Sequence, residues 1–193
     1  MMFANRTLSL IRHAPSTPHG RLYGRTDADI IPPTKQDIER LAPQLADASA
    51  IYSSPAKRCL KSCASILPDR PAPKQIDAFW EQNFGDWEDT AYDELPDIGD
   101  LSGAELADFR PPLGESFSDI CARVIPALNT LLAQDKAEHI AIFAHAGVIR
   151  AILSFAFESQ IAALKCTIET LSITQFHILA DGKLSVISVN STR

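Results

Sequence analysis

The sequence has no apolar run long enough to cross a bilayer. Its longest, such as Ile140 to Ala144 and Ala151 to Phe157, stop far short of the roughly 20 residues a spanning helix needs. Four cysteines, Cys59, Cys63, Cys121 and Cys166, include no Cys-x-x-Cys pair, and no secretory leader opens the chain. A disulfide framework is therefore not indicated, and a cytoplasmic location is expected. Basic residues are in deficit, 18 against 24 acidic ones, for a net charge of -6. A broad attraction to nucleic acid or to a membrane surface is excluded on that balance, so any anion site has to be built locally. Repeats, low-complexity tracts and linkers are absent as well. What is present is 46% hydrophobic and 22% charged residues over 193 positions. That is the composition of one globular domain over residues 1–193, able to bury a core without a metal or disulfides.

Periodicity sets the order of elements. Thr7 to Ile11 is β-prone and delivers Arg12 and His13 where a first strand would end. Residues 15–33, rich in Pro, Gly, Asp and Thr, suit a loop, after which Thr34 offers an N-cap for a helix reaching toward Ala46, with Pro43 arguing against its full length. Ala50 to Ser53 reads as a second strand, followed by Ser54 as N-cap and Pro55 at the first helical position. The stretch from Pro68 to Arg110 is irregular, with short helices near Ala91 to Leu95 and Leu101 to Phe109. The part near residues 80–115 is expected to lie over the active site. From Phe117 to Leu132 apolar residues recur at steps of three and four, marking one face of a long helix that Pro126 is expected to bend. Ile140 to Phe143 has the uninterrupted apolar character of a strand buried on both faces, and it leads through His145 and Gly147 into a helix. Ser172 to Leu179 and Lys183 to Val189 flank Asp181-Gly182, a hairpin signal. The fold class expected is α/β: a mainly parallel central sheet with helices on both faces and an antiparallel edge from the terminal hairpin. In such sheets ligands bind beyond the carboxyl ends of strands, where Arg12-His13 and His145 both fall.

Four segments then stand in order: Leu10-Ile11-Arg12-His13-Ala14, Ser53-Ser54-Pro55-Ala56-Lys57-Arg58, Trp80 to Glu88 with Glu81 near its start, and Phe143-Ala144-His145-Ala146-Gly147-Val148-Ile149-Arg150. Together they resemble the motifs of the histidine phosphatase superfamily, whose fold is called phosphoglycerate mutase-like. The resemblance implies a metal-independent phosphoric monoester hydrolase needing no cofactor. It makes His13 the nucleophile, Arg12 and Arg58 phosphate ligands, His145 a further donor, and Glu81 the acid/base. Elementary chemistry agrees with those residue types. A neutral imidazole carries a lone pair at physiological pH, guanidinium groups bond phosphate oxygens through paired N–H groups, and one carboxyl group can protonate a leaving alkoxide and later take a proton from water.

Departures and alternatives accompany the match. Ala14 stands where the family commonly has glycine, and His19 where many members have asparagine. His19 and Ser16 are candidates for substrate contact, Ser16 being equally suited to cap its loop. Ala146, beside His145 in its motif, is another candidate contact. The loop Tyr23-Gly24-Arg25-Thr26-Asp27 and the segment Pro112-Leu113-Gly114-Glu115-Ser116-Phe117 look like the α-ribazole phosphatase branch. They add Tyr23, Gly24, Arg25, Glu115 and Ser116 as candidate substrate-binding residues. Glu81 and His145 stand only 64 positions apart, which favours hydrolysis over mutase action. The partner implied is a small phosphorylated metabolite, α-ribazole 5′-phosphate being one candidate, and a homodimer is compatible with the sequence. A mutase or sugar-phosphate phosphatase of the same fold remains an alternative. So do a non-catalytic module that binds a phosphometabolite and a metal hydrolase using His13, His19, His145 and Asp27.

Overall fold

The computed structural model describes residues 6–192. The chain runs through β1 (Arg6–Arg12), β2 (Ser16–Thr17), β3 (Asp29–Ile30), α1 (Lys35–Leu41), β4 (Ala50–Ser53), α2 (Lys57–Ile66) and β5 (Lys74–Gln75). It continues through α3 (Gly103–Asp108), α4 (Phe117–Gln134), β6 (His139–Ala144), α5 (Ala146–Phe157), α6 (Gln160–Leu164), β7 (Ile173–Ile178) and β8 (Leu184–Ser191). Six strands form one sheet in the order β5-β4-β6-β1-β7-β8, and β2 and β3 pair separately. β5, β4, β6 and β1 are mutually parallel, whereas β7 and β8 add an antiparallel edge. This is the α/β sheet that the alternation of strand and helix signals implies.

Period-2 alternation feeds two cores. Leu8 and Leu10 of β1, with Ile140 and Ile142 of β6, pack against Ile120, Val124 and Leu128 of α4 and Val148, Ile149 and Ile152 of α5. On the opposite face, Ile11, Ala141 and Phe143 meet Leu41 of α1 and Cys59, Cys63 and Ile66 of α2. All six residues of β6 are buried, the result of being covered on both sides. α4 opens with a capping box in which the Ser116 hydroxyl accepts from Asp119 N while the Asp119 carboxylate accepts from Ser116 N.

Of three local expectations one, the cap at Ser54, is revised. α1 stops at Leu41 and the chain continues as a 3₁₀ turn over Pro43–Leu45, since Pro43 has no N–H for the next helical bond. α2 starts at Lys57 with Ala56 as N-cap and no side-chain cap; the Ser54 hydroxyl accepts from Ala56 N at 3.3 Å and from His145 Nε2 at 2.8 Å. Pro126 lies inside a continuous α4. In the irregular stretch, short helical turns do form at Tyr92–Glu94 and Gly103–Asp108, the latter capped by Ser102. Among the described residues no helix is long and apolar enough to cross a membrane.

Candidate active site

Parallel register brings the carboxyl ends of three strands together. Arg12 pairs with Ala144 and Ser53 with Phe143, so His13, Ser54 and His145 emerge side by side. The backbone continues the ladder one step, His13 N donating to Ala144 O at 3.0 Å and Ser54 N to Phe143 O at 2.9 Å. The His13 and His145 rings stand edge to face, 5.1 Å between centroids.

His13 is buried, and its Nδ1 lies 2.6 Å from Ala14 O. A carbonyl can only accept, so Nδ1 carries the hydrogen and the lone pair is left on Nε2. Burial, then the charges of Arg58 and Arg12, hold the imidazole well below its ordinary pKa of 6.5, keeping it neutral. Ala14 contributes through its backbone, its N–H donating to Ser62 Oγ at 2.8 Å while the methyl group packs into the α1/α2 core. A Cβ is therefore accommodated at this position.

His145 has both ring nitrogens engaged. Arg58 Nε donates to its Nδ1 at 3.2 Å, which leaves Nε2–H to donate to Ser54 Oγ at 2.8 Å. Its pKa too is depressed, first by burial and then by Arg58. Arg58 is wholly buried, its terminal nitrogens donating to Thr26 O at 3.0 Å and Gly24 O at 2.7 Å. Arg12 donates through Nη1 to Ile168 O at 2.5 Å, while its buried Nε has no partner among the described residues.

Glu81 is buried at the amino end of α5. Its Oε1 accepts from Gln82 N at 3.0 Å and its Oε2 from Gly147 N at 3.1 Å. A Cβ on Gly147 would push Glu81 Oε1 out of this position. A cleft of ≈ 310 Å³ opens over these groups, with Arg12, His13, Glu81 and Gly147 in its wall.

Of the other residues singled out in the sequence, Ser16, His19, Tyr23 and Ala146 also line the cleft. Arg58 and His145 stand behind the wall. Gly24, Arg25, Glu115 and Ser116 lie outside the lining, and each has another role. Gly24 packs so tightly on Gln82 O and Glu88 that a Cβ would not fit, and its carbonyl holds Arg58. Arg25 lies over the Trp80 ring, 5.6 Å from its centroid, and 3.8 Å from Glu115. Glu115 is paired with Arg123, and Ser116 caps α4. Glu88, with backbone N–H groups of Gly24, Arg25, Thr26 and Phe84 on its carboxylate, staples two loops together. Asp27, a ligand in the metal alternative, accepts from Lys57 N at 2.7 Å. Among the described residues no group of three or more His, Cys, Asp or Glu gathers as a metal cage would require.

Arg21, Gln82, Tyr92, Arg150 and Thr170 line the cleft without having been singled out. Arg150 closes the same motif as His145 and sits on the first turns of α5, so helical spacing from Ala146 was a signal for it. Tyr92 and Thr170 come from segments with no motif. Arg150 donates through Nε to Cys166 O at 3.0 Å, and burial lowers its pKa.

The geometry can be set beside known proteins. The model of the family described as histidine phosphatase superfamily (branch 1) matches residues 8–192. The human 6-phosphofructo-2-kinase/fructose-2,6-bisphosphatase 4 is 26% identical over 180 residues, 86% of this chain and 36% of that protein. The Arabidopsis thaliana metal-independent phosphoserine phosphatase is 27% identical over 156 residues, 74% of this chain and 65% of that one. The chain thus spans only about a third of the human relative it matches, at 36% of its length. Among solved structures, an Escherichia coli protein described by assignment as an α-ribazole-5′-P phosphatase superposes with a TM-score of 0.80 at 21% identity, over 96% of each chain. That is a likeness of fold.

Proposed function

The chain belongs to the histidine phosphatase superfamily (branch 1), and from that premise we propose that it hydrolyses phosphomonoesters of small metabolites through a phosphohistidine on His13. One observation carries the reading. His13 is a neutral imidazole whose Nδ1–H is tied to a backbone carbonyl, in the wall of a cleft that also holds Arg12 and Glu81.

The sequence of steps conserves atoms and charge. The Nε2 lone pair attacks phosphorus, the P–O ester bond breaks, and the leaving oxygen takes a proton from the Glu81 carboxyl group. Water then gives a proton to the Glu81 carboxylate as its oxygen attacks phosphorus, and the P–N bond breaks with its electron pair returning to Nε2. Arg12, in the wall of the cleft beside His13, is the guanidinium best placed to meet phosphoryl oxygens. Arg58 adds positive charge from behind His13. Four of its N–H groups are engaged, Nε by His145, Nη2 by the Tyr23 and Gly24 carbonyls and one on Nη1 by the Thr26 carbonyl, which leaves a single Nη1–H uncommitted.

The narrower reading is α-ribazole 5′-phosphate as substrate. It is supported by the likeness of the Tyr23–Asp27 and Pro112–Phe117 segments to that branch and by the similarity of fold to the E. coli protein. Purified protein assayed with α-ribazole 5′-phosphate, 3-phosphoglycerate and fructose 2,6-bisphosphate tests it; absence of a preference for the first overturns the narrow reading alone. The broader reading is tested by base-quenching a turnover mixture and locating phosphate by mass spectrometry. Acid-labile, base-stable phosphate on His13 is expected, and turnover without it excludes the mechanism.

A further inference from the structure

Glu81 sits in a stretch that has no strand or α-helix to hold it, between 3₁₀ turns at Asp77–Phe79 and Gly85–Trp87. Carbonyls in such a stretch need donors from elsewhere. Three of those carbonyls are served by one side chain. Arg123, in the second turn of α4, donates through Nη1 to Ala78 O at 2.6 Å and Trp80 O at 2.7 Å, and through Nη2 to Glu81 O at 3.0 Å. Its remaining donors go to the Glu115 carboxylate, Nε to Oε1 at 2.9 Å and Nη2 to Oε2 at 3.0 Å. All five N–H groups of the guanidinium are engaged, so none is left for a phosphate.

Glu115 extends the grip along the same stretch. Its Oε2 accepts from Asn83 N at 2.9 Å, its own N–H donates to Asn83 O at 2.7 Å, and its carbonyl accepts from Gln82 Nε2 at 2.6 Å. The backbone around Glu81 is thus bonded on both sides of that residue, while its carboxylate is fixed by Gln82 N and Gly147 N.

We propose that Arg123 and Glu115 are a pair of positioning residues that hold Glu81 where it can both donate a proton to the leaving group and take one from water. The proposal rests on the hydrolase reading above. Proton transfer needs hydrogen-bond reach, and a displacement of about 1 Å can cost up to about 100-fold in rate. A lysine at 123 offers three donors from one point and cannot span three carbonyls and a bidentate carboxylate.

The test uses rapid mixing with p-nitrophenyl phosphate, whose leaving group departs without an acid, so that only the second step calls on Glu81. Arg123→Lys and Glu115→Gln are expected to lower kcat by about 10- to 100-fold with KM within about threefold. The burst of p-nitrophenol per folded molecule stays full, and phospho-His13 accumulates above the parent level. An alkyl phosphomonoester, which needs the acid in the first step, shows the same fall in kcat with no burst. A pair that served folding alone would instead shrink the burst amplitude and leave turnover per burst-competent site within about twofold of the parent, and that result overturns the proposal. Absence of phospho-His13 in the parent overturns the hydrolase reading, and the clamp with it. Glu115→Gln keeps the test decisive if Arg123→Lys does not fold.

Discussion

Buried histidines stand at both ends of the central sheet, and they differ in their company. At the carboxyl ends of β1 and β6, His13 and His145 lie among Arg12 and Arg58 at the wall of an open cleft. At the amino end of β6, His139 is just as buried, but its partner is an acid. Its Nδ1 is 2.6 Å from Asp47 Oδ1 and its Nε2 2.8 Å from Ser9 Oγ, which also accepts from Gln175 Nε2 at 3.2 Å. The order Asp47-His139-Ser9 is that of a charge relay, yet Ser9 is wholly buried and lines none of the cleft's wall. Burial alone therefore does not mark a histidine as reactive. Access and the sign of the neighbouring charge do.

The sharpest way to break that contrast is to remove each histidine in turn. His13→Ala is expected to lower turnover by at least about 10³-fold with its melting temperature nearly unchanged. His139→Ala should leave turnover per folded molecule intact and cost about 1–3 kcal/mol of stability in a denaturant titration, through the unpaired Ser9 hydroxyl and lost packing. Exchange of those two outcomes would invert the assignment. Arg58→Ala comes next, with kcat/KM down by about 10²-fold on a phosphomonoester, because it removes charge beside His13 and frees the Thr26 and Gly24 carbonyls together.

A pH profile sharpens the same comparison. Because His13 and His145 are held well below 6.5, mainly by burial, the unfolded chain binds protons near and below that pH that the folded chain does not. Stability is therefore complete above the unfolded value and declines as the medium is acidified below it, as urea midpoints measured down the pH scale should record. The acid limb of kcat/KM, corrected for ionisation of the substrate, should lie below the ordinary histidine range; a limb at 6.5 would mean that His13 is not held neutral. At the other end, His139 lowers the Asp47 pKa, so that pair contributes above the ordinary carboxylate range and is lost as pH falls through the depressed value. Asp47 is largely exposed, which makes Asp47→Asn the smallest effect, no more than about 1 kcal/mol by thermal melting and none on kcat.

Legibility differed between the parts of the site in a physically consistent way. Strands β1, β4 and β6 and helix α4 were readable because apolar runs and threefold and fourfold spacing act over a few neighbouring positions. Pro43 was readable as a helix stop for the same reason, whereas the cap expected at Ser54 does not form: α2 begins later, at Lys57, and the Ser54 hydroxyl bonds Ala56 N and a residue 91 positions away. The segment of residues 76–95 resisted reading since its backbone is held by distant side chains, Arg123 and Glu115 among them, rather than by its own pattern.

By local rules alone, the chain specifies an α/β sheet that ends on Arg12-His13 and His145 and a set of residue types suited to phosphoryl chemistry. Tertiary structure decided their posts. It put Arg12 and Glu81 in the cleft wall, drew Arg58 and His145 behind it, and paired Glu115 with Arg123. The reason is range: a hydrophobic period or a cap is satisfied within a turn or two, but a charged group's role is set by whichever donors, acceptors and solvent the fold brings to it.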